Sequence, residues 1–185
     1  MFAIRLEVWR IGDSKPAVRL NPVVEPSEWK QKAQRSEGEL TDTKQLQEEY
    51  WTEFRDRIEE RETQLSARKP YPSYYHNLSI GKSGFELQFT INTRDDELGV
   101  GLVIRDDADA YSQLEEDRDE IDQQFDQQVA WDEPEETRSG KKRSRIGITK
   151  HGDVSDEEQW DAYLDWMVKN GEQFYDVFYD RLQQL

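Results

Sequence analysis

Residues 2–11, FAIRLEVWRI, alternate apolar and polar, with Phe2, Ile4, Leu6 and Val8 on one side and Arg5 and Glu7 on the other. A period of two predicts a strand, which Trp9 and Ile11 extend. The stretch GDSKP breaks it. Residues 15–41 hold Pro16, Pro22 and Pro26 and the polar run QKAQRSEGE, which predicts a linker with little structure of its own. The apolar period then lengthens. Leu46, Tyr50, Trp51, Phe54 and Ile58 recur at helical spacing, predicting a helix over 43–65 that stops near RKPYP. Asp42 is its expected N-cap, with Gln45 three residues on.

Period two returns three times. It runs through Tyr74, His76, Leu78 and Ile80, then Phe85, Leu87, Phe89 and Ile91, then Leu98, Val100, Leu102 and Ile104. The connections GKSG and TRDDE are short, so the three strands should form an antiparallel meander. One face is apolar; the other carries Glu86, Gln88, Thr90 and Asn92. A second helix is predicted over 107–127, capped by Asp106 or Asp107, with Tyr111, Leu114, Ile121 and Phe125 inward. VAW (129–131) and SRIGITK (144–150) are short strand candidates, with DEPEETRSGKKR between them as a polar loop. The last helix should open on a capping box of Ser155 and Glu158, and Gly171 is a candidate kink in its middle. The fold class is therefore α+β. A mostly antiparallel sheet, a three-strand meander plus two short strands, packs about three helices on one face. The order is α-β-β-β-α-β-β-α after an N-terminal strand.

Candidate chemistry is sparse. Gly81, Lys82 and Ser83 look like the end of a P-loop, whose first glycine would fall at position 76; that residue is His76. The flanking alternation instead predicts a hairpin whose glycines supply positive φ, with Lys82 exposed at its tip. A phosphate contact by Lys82 and Ser83 stays open beside the plain turn. His76, on an apolar strand face, is expected to be a core residue. DDADAYSQLEED lacks the glycine a calcium loop needs at its sixth position and falls where a helix should start. RSGKKRSR (138–145) is the one concentrated basic segment. It supplies Lys141, Lys142, Arg143 and Arg145 as contact candidates, and Arg94 adds another in the TRDDE turn. No nucleophile triad or dinucleotide fingerprint is present, so no catalytic residue, metal site or cofactor is expected.

Charge and composition change the picture in one respect. Across 185 residues, 41 Asp and Glu face 25 Lys and Arg, a net charge of −16 spread over nearly every segment, with ten Lys against fifteen Arg. Apolar residues reach only 34%, yet aromatics reach 11% and can bury a core. A folded, acidic, Lys-poor surface suggests a halophile, in whose cytoplasm the Debye length is about 3 Å; the alternative is an acidic protein with basic partners. No cysteine is present, and neither an apolar membrane span nor a signal-like N-terminus is seen. A cytoplasmic protein without a membrane association is expected.

Four ordered blocks carry a resemblance: YWTEFRDRIEE (50–60), YYHNLSIGKSGFELQFTINTRDDELGVGLVIRDD (74–107), RSRIGITK (143–150) and FYDVFYDRLQQL (174–185). Together they resemble the domain of unknown function 4268 family over 42–185. FAIRLEVWRIGDSKPAVRLNPVVEPSEW (2–29) resembles the closing part of a PD-(D/E)XK nuclease-like domain. The resemblance implies that 1–14 is a remnant of such a domain, 15–41 a linker and 42–185 the α+β domain. The Asp and Glu-x-Lys that would hold Mg²⁺ lie upstream in such proteins, so no catalytic residue carries over. A truncated or split gene, or a chain keeping only the accessory part, is implied. The expected function is a non-catalytic accessory domain of a nuclease-like system. It would contact nucleic acid or a nuclease partner through Lys82, Ser83, Arg94 and the Lys141–Arg145 loop. The alternative is a protein–protein interaction or oligomerisation module, its N-terminal strand pairing with another chain's sheet edge. A stand-alone hydrolase is the least favoured.

Overall fold

The computed structural model describes the backbone of residues 4–9, 17–22, 27–137 and 140–185, and side chains over 41–137 and 140–185. The chain divides into two units, Met1–Asp42 and Thr43–Leu185. In the first, β1 (Ile4–Trp9) pairs antiparallel with β2 (Ala17–Pro22), Ile4 facing Pro22 and Trp9 facing Ala17. The N-terminal strand thus has a partner inside its own chain. Its expected ends at residues 2–3 and 10–11 lie outside the described residues, as do 15–16 and 23–26 of the expected linker.

The region read as linker holds β2 and the start of α1 (Ser27–Glu59). Residues 27–41 carry no apolar stripe, but Glu, Gln, Lys and Ala are good helix formers, and no proline follows Pro26 before Glu59. Asp42 is therefore interior to a helix and caps nothing. The same helix stops six residues before the expected end. After Ile58 the positions that would continue the stripe are Arg61 and Glu62, so nothing apolar holds a further turn to the core.

The second unit is a five-stranded antiparallel sheet in the order β3-β4-β5-β7-β6. Its strands are β3 (Tyr75–Ser79), β4 (Phe85–Asn92), β5 (Glu97–Arg105), β6 (Ala130–Glu136) and β7 (Lys142–His151). The meander forms as its alternation predicts, Phe85 facing Ile104 and Asn92 facing Glu97. The second helix is broken into α2 (Ala108–Glu116) and α3 (Arg118–Asp122). Asp107 is the cap, accepting from the Ala110 N–H at 2.9 Å. Glu115 and Glu116 close α2 with no basic residue in its last turn, which the helix dipole disfavours. The expected polar loop at 132–143 is mostly strand. β6 continues to Glu136 with a register shift between Asp132 and Glu135, a bulge that takes up Pro134 on an edge strand.

The apolar sheet face, Phe85, Leu87, Phe89 and Ile91 on β4 with their neighbours, joins one buried cluster with α1, α2 and α4 (Trp160–Gln184). Phe54 meets Phe89 with ring centroids 4.7 Å apart, and Tyr50 on α1 donates to the Met167 sulfur of α4 at 3.6 Å. Arg57 bridges Asp161 and Asp165 on α4, and Arg61 joins Asp165. The capping box does not form. Ser155 turns its N–H and hydroxyl to Asp153 at 2.8 and 2.7 Å, and a 3₁₀ turn at Glu157–Gln159 leads into α4. α4 runs through Gly171 without interruption.

Candidate functional site

Strand register assembles the polar face of the sheet row by row. Arg105 faces Arg143; Glu86, Val103 and Arg145 share the next row; Gln88, Gly101 and Gly147 the one after. A chain of side-chain hydrogen bonds crosses it. Arg143 Nη2 donates to Gln88 Oε1 at 2.6 Å, and Gln88 Nε2 to Asn77 Oδ1 at 3.0 Å. Asn77 Nδ2 donates to Glu86 Oε2 at 2.9 Å, which Arg105 also meets through Nε at 2.9 Å.

Arg145 lies flat on a floor of glycines. A Cβ on Gly99 would fall 2.9 Å from its Nη2, and one on Gly147 2.9 Å from its Cζ. Its Nε and Nη2 are buried with no hydrogen-bond partner among the described residues. Burial lowers its pKa, partly offset by the field of Asp132. Arg143 and Arg145 are thus fixtures of a strand face and not members of a mobile basic loop. Beside them is a hollow of about 570 Å³, where Asp132, Glu133, Glu135 and Glu136 outnumber the two arginines. That charge balance disfavours a phosphate.

Lys82 is half-buried, not exposed at a tip. Its Nζ donates to the Leu182 carbonyl at 2.7 Å and lies 5.7 Å from the Phe85 ring centroid, so it caps the last turn of α4, where a cation complements the helix dipole. Gly81 and Gly84 have φ of 82° and 89°, as a glycine-bounded hairpin requires. Ser83 and Arg94 are exposed, at opposite ends of β4; eight residues at about 3.3 Å each separate the two turns by roughly 25 Å. Lys142 lies at the Lys82 end, its carbonyl accepting from Asp106 N–H at 2.8 Å. Lys141 and Lys142 are exposed; Arg138 lies outside the described residues.

The hairpin turn borders a second hollow, of about 390 Å³, with Arg68, Lys82 and Arg105 around it and Ser79 and Ser83 on its rim. Glu86 is its one carboxylate, and Arg105 is bonded to it. Sequence reasoning missed Arg68 and Arg105. Arg105 shares strand parity with Val103 and Gly101 and could have been placed; Arg68 sits in an irregular segment and gives no periodic signal.

On the opposite face His76 is fully buried, stacked on Trp51 at 5.4 Å. Neither ring nitrogen has a hydrogen-bond partner among the described residues. Burial, aided by the Arg68 charge and opposed by a smaller contribution from the Arg68 backbone, lowers its pKa below the ordinary 6.5. The unfolded chain then takes up the proton first, so this contribution to stability is complete well above pH 6.5 and declines as pH falls through that value. His76→Phe keeps an aromatic ring and removes the titration. Its urea midpoint should gain on the wild type's as pH drops from 7.5 to 5; parallel profiles would refute a buried neutral imidazole.

Among the described residues no cluster of three His, Asp or Glu could hold a metal ion, and no helix is long and apolar enough to cross a membrane. No curated protein and no solved structure matches the chain. A family model does, over residues 46–182, which span α1's apolar stripe, the whole sheet and nearly all of α4. The chain belongs to the domain of unknown function (DUF4268) family.

Proposed function

We propose that this chain is a non-catalytic accessory module of a nuclease-like system that contacts nucleic acid at the hairpin end of its sheet. One observation carries the reading: in a chain of net charge −16, three cations surround one hollow whose single carboxylate, Glu86, pairs with Arg105, which leaves Arg68 and Lys82 in excess. Arg68, Arg105 and the Ser79 and Ser83 hydroxyls offer the donors a phosphate takes. Lys82 contributes its charge while its N–H bond stays on Leu182. The resemblance of residues 2–29 to the closing part of a nuclease-like domain supports the association with a nuclease.

We also read the acidic surface as an adaptation to concentrated salt in a halophile's cytoplasm. Binding should therefore be measured up to about 1 M KCl, where exposed charges are screened beyond roughly 3 Å. Labelled oligonucleotides should bind in a fluorescence anisotropy titration. Arg68→Ala/Arg105→Ala should weaken binding at least tenfold and shallow the log–log salt slope by about one per cation removed. No binding by the wild type, or a variant with the same slope, would overturn the reading. The second reading is an interaction module working through the N-terminal strand, one edge of which pairs with β2.

A further inference from the structure

Beside the cationic hollow lies a second feature that the phosphate contact leaves unused. Tyr71 and Tyr74 are the most exposed large apolar side chains among the described residues, at 43% and 59%. Both pack on Tyr75: the Tyr74 and Tyr75 centroids are 5.0 Å apart, and those of Tyr71 and Tyr75 6.3 Å. Tyr75 opens β3, which is an edge of the sheet. It stands on the same strand face as Ser79, which rims the hollow. Four residues of strand put the ring cluster about 13 Å from the hollow.

The two features share their electrostatic neighbourhood. The Tyr71 hydroxyl feels both Arg68 and Glu86, two residues of the hollow itself. Burial and the hydrogen bond with Tyr75 raise its pKa, so the ring stays neutral at physiological pH and offers an uncharged π-face. Among the described residues, every large aromatic other than Tyr71, Tyr74 and Tyr75 lies in the core or half-covered against it.

We propose that the β3 edge is a platform for a single-stranded nucleic acid, with unpaired bases stacking on Tyr71 and Tyr74 and a neighbouring phosphate held by Arg68 and Arg105. This rests on the proposed nucleic-acid contact and names its substrate class. A base can lie on a side-chain ring only when it is out of its own duplex stack, and stacking is tolerant of sequence because every base has a π-face. A duplex needs a long basic stripe to follow its phosphates. Here the cations of the hollow gather at one end of the sheet, about 25 Å along β4 from Arg94.

The test uses the full chain and three fluorescein-labelled probes: a 20-mer of deoxythymidine, a 20-mer of uridine and a 20-base-pair DNA duplex. Either single strand should bind at least tenfold more tightly than the duplex at equal salt. Tyr71→Ala/Tyr74→Ala should weaken single-strand binding tenfold or more while leaving the salt slope unchanged, and Tyr71→Phe/Tyr74→Phe should restore it, because phenylalanine keeps the ring. Far-UV circular dichroism confirms that the variants fold. Equal binding of strand and duplex, with no effect of the alanine variant, would overturn the platform and leave the phosphate contact standing. Absence of binding to all three probes would overturn both.

Discussion

Trp51→Ala should destabilise the second unit by about 3–5 kcal/mol, the range for deleting a buried large aromatic. Its thermal midpoint should fall by roughly 10 °C. The indole is fully buried and joins three layers of contact. Its ring edge meets Tyr50 and Phe54 on its own helix at 5.5 and 5.7 Å. Its face stacks on His76 of β3 at 5.4 Å. Its N–H donates to the Ser73 carbonyl at 2.7 Å, which fixes the segment that leads into β3. Alanine removes all of these together, leaving a cavity beside an imidazole that already lacks partners and a carbonyl with its donor gone. Trp51→Phe separates the terms. It keeps most of the ring packing and loses the hydrogen bond, so it should cost about 1–3 kcal/mol, from the smaller ring and a part-buried acceptor left without its donor. Urea unfolding followed by circular dichroism measures both. A loss below about 1 kcal/mol for the alanine variant would show that the cluster repacks freely.

The same cluster explains what could and could not be read from the chain. Tyr50, Trp51, Phe54 and Ile58 announced a buried helix face because they sit at helical spacing over a strongly apolar sheet face. The 27–41 portion of α1 has no such stripe, so a pattern-based reading passes over it. The strand β6 was hidden for a related reason. It is an edge strand whose residues after Trp131 are Asp, Glu, Pro, Glu and Glu, polar on both faces and interrupted by a bulge. Alternation can be seen only where one face is covered and the other is not.

The candidate site divides along a different line. The turn at Gly81–Gly84 was legible because positive φ at both ends is a local demand met by glycine. The engagement of Lys82 was not, because its acceptor on Leu182 is 100 residues away. Arg143 and Arg145 looked like loop cations in a basic run. Strand parity places both on the polar sheet face, and the berth of Arg145 exists only because Gly99, Gly101 and Gly147, from two strands, meet beneath it. Contacts set by register between distant strands leave no mark in a short window of sequence.

Gly171 gives the second large effect, and its sign is the informative part. Within a helix, Gly→Ala ordinarily stabilises by about 1 kcal/mol. Seen in sequence, Gly171 was a possible kink. In the fold α4 is continuous, and the missing side chain is what lets Phe89 touch the helix. A Cβ at 171 would stand 2.6 Å from Phe89 Cζ, 2.9 Å from its Cε1 and 3.1 Å from Leu65 Cδ1. Phe89 is fully buried and packed against Phe54 at 4.7 Å, so it has little room to withdraw. Overpacking of this kind costs about 1–3 kcal/mol, which exceeds the propensity gain. Gly171→Ala should therefore destabilise, and Gly171→Val, with two more methyl groups and a β-branch, should lose about 3 kcal/mol. Shortening the opposing ring tests the cause. In Gly171→Ala/Phe89→Leu the two losses should partly cancel, giving a coupling of about 1 kcal/mol or more in a double-mutant cycle. If Gly171→Ala instead stabilises the domain by about 1 kcal/mol, the helix and the sheet do not approach as closely there as the Phe89 contact requires.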